Sequence, residues 1–244
     1  MIDPVTKTFN SNGLKFGWLL SILLINIFVL YGQQDATIRF ANVALDMGLS
    51  DQTLGVAIHG AAWGDVNGDF YPDLFLGVFA NHSTLPNLIL LNEEGKRFIK
   101  LDNPDVEIRS RNSGASFADF DGDGDDDLVT VHVNDLEGVR HAPELARSNF
   151  LYRNDGEGNF TDVTASSNLG FTGEWTGRNP FVLDYDGDGM LDLLMQDDAV
   201  WPNSIGRSRL MKNKGDLVFE DVTLGAGLGN HLNGLGGAVA VSYT

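Results

Sequence analysis

The sequence predicts an all-β fold made of repeated four-stranded antiparallel blades, and three observations lead to this prediction. One acidic loop occurs three times, with its first aspartates at Asp65, Asp119 and Asp184. Every copy lies between two short apolar segments of strand-like composition. Every copy is then followed by a hairpin signal, in which Asn, Asp and Gly separate two further apolar runs. Four strands that recur at intervals of 54 and 65 residues predict the blades of a β-propeller.

Each blade is predicted from the same order of segments. A stretch of small and apolar residues leads into the acidic loop, a second apolar run leaves it, and a hairpin completes the unit. The loops are therefore expected to connect the first and second strands of each blade. The first strands are predicted at 59–64, 114–118 and 179–183, the second at 74–79, 128–133 and 193–195, and the hairpins at 87–99, 149–164 and 208–223. These segments give blades at about 58–101, 113–164 and 177–223.

A partial further blade is predicted from both ends of the chain. The second and third hairpins end in the sequence Phe-x-Asp-Val-Thr, and a weaker copy begins at Phe40. The spacing from this phenylalanine to the next loop puts a fourth loop at 240–244, where the chain reads Ser-Tyr-Thr at its end. Strands are therefore predicted at 38–43 and 236–242, for about three and a half blades over residues 36–244. Because an open ring leaves a sheet edge exposed, we expect a fragment of a larger propeller, or a half that pairs with another chain.

The acidic loops have the ligand pattern of a site for a hard cation. Oxygen-bearing side chains occupy loop positions 1, 3, 5 and 9, and position 7 can offer its backbone carbonyl. Calcium takes six to eight oxygen ligands in flexible loops of this kind. About three calcium sites are therefore predicted. Their ligands are Asp65, Asn67, Asp69, Tyr71 and Asp73 in the first loop, Asp119, Asp121, Asp123, Asp125 and Asp127 in the second, and Asp184, Asp186, Asp188, Met190 and Asp192 in the third.

An EF-hand and a simple turn both fit the acidic loops less well than a calcium site between strands. An EF-hand needs a glutamate at position 12 between two helices, whereas position 12 is Leu76, Thr130 or Met195 and the flanking segments have strand composition. Asp-Gly runs can also be simple turns, but three copies with one ligand spacing favour metal sites. Carboxylates so close together repel one another unless a cation lies between them. Calcium is therefore expected to have a structural role, holding the first two strands of each blade.

The repeated unit resembles the FG-GAP or VCBS repeat. The resemblance is carried by the acidic loop, by the Asn-x-Leu-Tyr-x-Asn segment that begins at Asn149, and by Phe-x-Asp-Val-Thr, and it covers about residues 36–244. Such repeats build the seven-bladed, calcium-binding propeller of integrin α chains, so the resemblance implies part of a seven-bladed ring. The version found here is most similar to the cartilage-acidic-protein-like family of exported proteins. It implies an extracellular module for binding or adhesion whose calcium ligands are the loop residues named above.

Composition and the N-terminal segment limit the function classes further. A net charge of −18 argues against nucleic acid as a partner, and the absence of cysteine excludes disulfides and thiolate metal sites. Lys7 and Lys15 precede an apolar run over residues 16–31, followed by Gly32. This order is typical of a secretory signal peptide, predicted at 1–32, with an uncleaved membrane anchor as the alternative. The sequence therefore predicts a protein that is secreted, periplasmic or held at the cell surface.

The expected function is binding or adhesion to an extracellular protein or glycan rather than catalysis. The five histidines have no metal-site spacing, and the chain contains neither a nucleophile elbow nor a phosphate loop. A carbohydrate-active enzyme, such as a lyase or hydrolase, and a structural spacer remain as alternatives. Loops on the rim opposite the acidic loops are the candidate ligand face, because exposed aromatic and arginine side chains favour interfaces. The candidates there are Arg140, His141, Trp175 and Trp201.

Overall fold

The structure is a computed structural model that describes residues 39–79, 85–133, 149–171, 177–197 and 208–228. These residues form strands and two short helices, α1 (Leu49–Gln52) and α2 (Thr164–Ser167). The strands are β1 (Ile58–Gly64), β2 (Asp73–Val78), β3 (Leu88–Glu93), β4 (Arg97–Leu101), β5 (Asn112–Ala118), β6 (Asp127–His132), β7 (Asn149–Asn154), β8 (Phe160–Asp162), β9 (Gly177–Leu183), β10 (Asp192–Asp197), β11 (Arg209–Asn213) and β12 (Phe219–Asp221).

The strands form three four-stranded antiparallel sheets in the order β1–β2–β3–β4, β5–β6–β7–β8 and β9–β10–β11–β12. The predicted all-β fold of propeller-like blades is confirmed. Each acidic loop connects the first and second strands of its sheet, since β1 ends at Gly64 and β2 begins at Asp73, and the other two blades repeat this arrangement. In the part of the chain that the structure describes, the innermost strands pack in the order β1, β5, β9, and the ring is not closed.

Small residues on the innermost strands allow neighbouring blades to approach closely. A Cβ atom at Gly64 would lie 2.6 Å from the Phe117 side chain, and one at Gly114 would lie 2.3 Å from the carbonyl oxygen of Arg178. The Ser113 hydroxyl donates a hydrogen bond of 2.6 Å to the carbonyl of Gly177, which joins β5 to β9. The small residues before the first two acidic loops are therefore explained by packing between blades.

Two apolar cores lie between the blades. Phe75 and Ile89 from blade 1 pack with Tyr152 from blade 2, and Leu151 from blade 2 packs with Met211 from blade 3. The second residue of each of the first two acidic loops also enters these cores, as Val66 between blades 1 and 2 and as Phe120 between blades 2 and 3. The loops are thus anchored by the burial of apolar surface, which contributes about 1.5–3 kcal/mol for a large side chain.

Of the two strands predicted for the partial blade, only the N-terminal one overlaps the described residues. Residues 39–43, the described part of the predicted strand at 38–43, form no strand, and Phe40 is 95% exposed. A strand needs a hydrogen-bonded neighbour, and each described sheet is completed by strands of its own repeat. The predicted strand at 236–242 and the apolar run at 16–31 lie outside the described residues. Among the described helices, neither is long and apolar enough to cross a membrane.

The chain divides into two compact units, Met1–Asn42 and Val43–Thr244, and all three sheets belong to the second.

Candidate metal centres

The aspartate at position 1 of each loop gathers backbone amides around its carboxylate. Asp119 accepts hydrogen bonds from the N–H groups of Gly122 at 2.7 Å and Gly124 at 3.1 Å. Asp184 accepts equivalent bonds from residues 187, 188 and 189, and Asp65 accepts them from residues 69 and 70. This pattern wraps the backbone into a tight turn and holds the position-1 carboxylate at its centre.

The turn brings the side chains of positions 1, 3 and 5 together. In the second loop, Asp119, Asp121 and Asp123 each offer one oxygen, and these oxygens lie within 4.8 Å of one another. The aspartates at 184, 186 and 188 of the third loop meet the same limit. Two oxygens bound to one calcium ion at about 2.3–2.6 Å can be separated by up to about 5 Å. Both triads therefore have a spacing that fits one calcium ion.

The aspartate at position 9 is fully buried in all three loops, and its carboxylate joins the loop to the third strand. Asp127 accepts hydrogen bonds from the N–H of Phe120 at 3.2 Å and the N–H of Asn154 at 3.0 Å. Asp73 and Asp192 accept the corresponding pairs of bonds in blades 1 and 3. A carboxylate oxygen has two lone pairs, so these bonds leave room for a metal. The coordination predicted for position 9 stays a prediction.

Asparagines at the end of the third strands of blades 2 and 3 link the first and second loops to the next blade. The Asn154 side-chain amide donates to the carbonyl of Val66 in the first loop at 2.9 Å and to the carbonyl of Asp126 in its own loop at 3.2 Å. The Asn213 amide donates in the same way to Phe120 of the second loop at 2.7 Å. Hydrogen bonds thus run without interruption from the first loop through the second to the third. Sequence reasoning missed this role, although an asparagine recurs at this position of each blade.

Burial and negative charge make these loops unfavourable for ionised carboxylates. Burial raises the pKa of Asp73 to about 6, although the backbone hydrogen bonds to its carboxylate oppose the shift. Burial likewise raises the pKa of Asp127 to about 7, and the nearby carboxylate of Asp121 adds to the rise. The pKa of Asp192 is raised for the same reason. A cation beside these groups would favour their charged forms and offset the cost of burying them.

Two basic side chains that sequence reasoning did not select lie against the triads. The Arg153 guanidinium contacts Asp121 at 3.0 Å through Nε and Asp123 at 3.1 Å through Nη2. The Lys212 ammonium forms ion pairs with Asp186 and, at 2.8 Å, with Asp188. Hydrogen bonds to these two carboxylates raise the pKa of Lys212. The position-3 and position-5 carboxylates of blades 2 and 3 are therefore each paired with a positively charged side chain.

The other predicted site residues lie either within the loops or outside the described residues. At position 7, the N–H groups of Tyr71, Asp125 and Met190 donate to the position-5 carboxylates at 2.8–3.1 Å, and coordination by their carbonyls stays a prediction. Asn67 donates to Asp69 at 3.1 Å across the first loop. The candidate ligand-face residues, Arg140, His141, Trp175 and Trp201, lie outside the described residues.

Fold and site together define a class of protein, the β-sheet repeat protein in which an acidic loop joins the first two strands of each blade. The family described as FG-GAP-like repeat matches residues 65–130 and 142–195, and these segments contain all three acidic loops. The chain is an FG-GAP repeat protein. Among curated proteins, no match to the chain is found, so the predicted link to cartilage-acidic-protein-like proteins stays a prediction.

Proposed function

We propose that this chain is an exported FG-GAP module that binds calcium in its three acidic loops and presents its blades for binding or adhesion to an extracellular protein or glycan. The observation that carries the calcium proposal is the pair of aspartate triads, each with its oxygens within 4.8 Å. The buried position-9 carboxylate of each of the three loops supports it, because burial raises the pKa of that group where no cation compensates.

The chain's own residues give calcium a structural role in this proposal. The position-1 aspartate holds the turn, and the position-9 aspartate ties the turn to the third strand through two backbone N–H groups. Calcium, when bound, would supply the positive charge that these carboxylates lack. Extracellular modules bind calcium with dissociation constants of about 0.1–1 mM. A site of about 0.1 mM would add about 1.4 kcal/mol to the free energy of unfolding at roughly 1 mM calcium, and three such sites about 4 kcal/mol.

Thermal unfolding tests the calcium proposal directly. We expect the melting temperature of the full chain to be higher in 1 mM calcium than in excess EDTA, by about 10 °C or more for a stabilisation of this size. Asp121→Ala should remove part of the difference, since it deletes one ligand of one triad. Asp51→Ala is the matched control, because Asp51 is an exposed acid on α1 away from the loops. Equal melting temperatures in calcium and EDTA would contradict the proposal.

Binding rather than catalysis is the activity that we propose for the blades. The support is that the loop carboxylates have structural partners, which leaves them poorly suited as the acid–base pair of a glycosidase. Fold alone does not determine function, so the ligand class must be measured. Retention of glycans on an array without release of products would support binding, and released oligosaccharides would contradict it. Export, proposed from the predicted signal peptide at 1–32, is tested by N-terminal sequencing of protein recovered outside the cytoplasm.

A further inference from the structure

The residue just before the asparagine of each third strand differs between the blades. Leu91, Arg153 and Lys212 occupy this position, and each lies opposite the equivalent residue of the fourth strand, at Ile99, Thr161 and Glu220. In blades 2 and 3 this side chain is basic and contacts the position-3 and position-5 carboxylates. Among the described residues of blade 1, no lysine or arginine forms an ion pair with a carboxylate of the first loop.

The change in this residue accompanies a change in the loop itself. The second and third loops have carboxylates at positions 1, 3, 5 and 9, whereas Asn67 stands at position 3 of the first loop. Counted over positions 1, 3, 5 and 9 alone, four carboxylates with one basic side chain give a formal charge of −3 in blades 2 and 3. Over the same positions, three carboxylates with Leu91 also give −3 in blade 1, while the second loop has two further carboxylates at Asp125 and Asp126. The basic side chain thus compensates for the carboxylate at position 3.

We propose that Arg153 and Lys212 are tethered counter-cations that set the calcium affinity of their loops by competing with calcium for the position-3 and position-5 carboxylates. This inference rests on the proposed calcium binding. Arg153 contacts the Oδ2 atoms of Asp121 and Asp123, two of the three carboxylates whose oxygens lie within 4.8 Å of one another in this triad. Its side chain is 54% exposed, so it can move into solvent when calcium enters. Without calcium, the same contacts reduce the repulsion within the loop.

The competition predicts the direction of each substitution. Arg153→Leu removes the competitor and leaves a charge of −4 over positions 1, 3, 5 and 9, so calcium should bind the second loop about tenfold more tightly. Asp121→Asn keeps the arginine and removes a carboxylate, so calcium should bind about tenfold more weakly. The double variant Asp121→Asn with Arg153→Leu has the blade 1 residue types at loop position 3 and in the third strand, and its calcium affinity should return to within about threefold of the unmodified chain. Lys212→Leu should raise the calcium affinity of the third loop in the same way.

A calcium titration of the ¹⁵N-labelled full chain, followed by NMR, measures each loop separately. The amide signals of Gly122 and Gly124 report on the second loop and those of Gly187 and Gly189 on the third, because these amides bind the position-1 carboxylates. In Arg153→Leu, half-saturation of the second loop should move to about tenfold lower calcium, while the third loop stays unchanged. Arg97→Leu is the matched control, since Arg97 forms an ion pair with Glu93 within the hairpin of blade 1 and has no described contact with either triad.

The outcomes separate this inference from the calcium proposal. If no loop of the unmodified chain responds to calcium, both fail. If the loops respond to calcium but Arg153→Leu leaves the calcium affinity of the second loop unchanged or lowers it, Arg153 orients the carboxylates. Only the competition proposal is then overturned. Should Arg153→Leu fail to fold, Arg153→Gln keeps a polar side chain without the charge and is predicted to tighten the second loop in the same direction.

Discussion

The first acidic loop and the other two have the same backbone arrangement but differ in the residues that control charge and conformation. Position 3 is Asn67 in the first loop and aspartate in the others, and position 6 is Phe70 where the others have glycine. Leu91 replaces the basic residue of the third strand. The aspartates at positions 1, 5 and 9 and the asparagine at or next to the end of the third strand are the same in all three blades.

The difference shows that the geometry of the loop and its charge depend on separate residues. The shared residues form the hydrogen bonds that shape the turn and attach it to the third strand, as Asp73 does with the N–H of Asn92 at 2.7 Å. The variable residues lie where a change alters the charge or the backbone strain while these bonds persist. One repeat can therefore change the charge of its loop without losing its fold, and substitutions that exchange residues between blade 1 and its neighbours test this separation.

The largest expected effect concerns the sixth residue of the second strand, which is Val78 in blade 1 and His132 in blade 2. Burial lowers the pKa of His132 to about 3, against about 6.5 for an ordinary histidine. Its Nε2 lies 2.8 Å from the Thr130 hydroxyl. Since the folded state keeps the ring neutral while the unfolded state gains a proton, the contribution of His132 to the free energy of unfolding should fall as the pH drops below about 6.5. The loss should reach about 2 kcal/mol at about pH 5.

Urea denaturation of the unmodified chain and of His132→Val between pH 7.5 and 5 measures this contribution. The variant carries the residue of blade 1 and lacks this titration, so its free energy of unfolding should rise by about 2 kcal/mol relative to that of the unmodified chain between pH 7.5 and 5. Both proteins keep all carboxylates, and EDTA in every sample removes any effect of calcium. The valine leaves a cavity that lowers stability at every pH, so only the pH dependence is compared. Identical slopes for the two proteins would show that folding does not lower the pKa of His132.

The next effect tests whether a loop depends on the following blade. Asn154→Ala removes the amide that donates to the carbonyls of Val66 and Asp126. Leaving these buried acceptors without the amide should cost about 1–2 kcal/mol. Because Val66 belongs to the first loop, hydrogen exchange of the Val66 and Phe70 amides should become faster even though the substitution is in blade 2.

Asn92→Ala is the matched variant in blade 1. The Asn92 amide donates to the carbonyl of Pro72 in its own loop. Exchange in the second loop, followed at the amides of Phe120 and Gly124, should therefore stay unchanged in this variant. If Asn154→Ala affects only its own blade as well, the hydrogen-bond chain between loops has no energetic importance.

Local patterns predicted much of the blade, and contacts between distant residues were the part that could not be predicted. The acidic loop and its two flanking strands follow from ligand spacing and apolar runs within about twenty residues. The contact of Asn154 with Val66 spans 88 residues and depends on how blade 2 packs against blade 1. Arg153 reaches Asp123 only because the hairpin register places it there. The predicted strand at Phe40 was wrong for the described residues 39–43, because a sequence motif does not supply a pairing partner.

The smallest effect concerns the backbone strain at position 6 of the first loop. Phe70 has a φ of 66°, a left-handed conformation that costs a residue with a Cβ atom about 1–2 kcal/mol, and its side chain is 92% exposed. Gly124 and Gly189 take this place in the other loops, with φ of 98° and 87°. Phe70→Gly should therefore relieve strain without losing buried surface.

The greater freedom of glycine in the unfolded chain offsets part of the gain from Phe70→Gly, so the free energy of unfolding should rise by about 0.5–1 kcal/mol in urea denaturation with EDTA. Gly124→Phe is the reverse control and should lower it, and a loss of stability in Phe70→Gly would show that the exposed ring stabilises the fold.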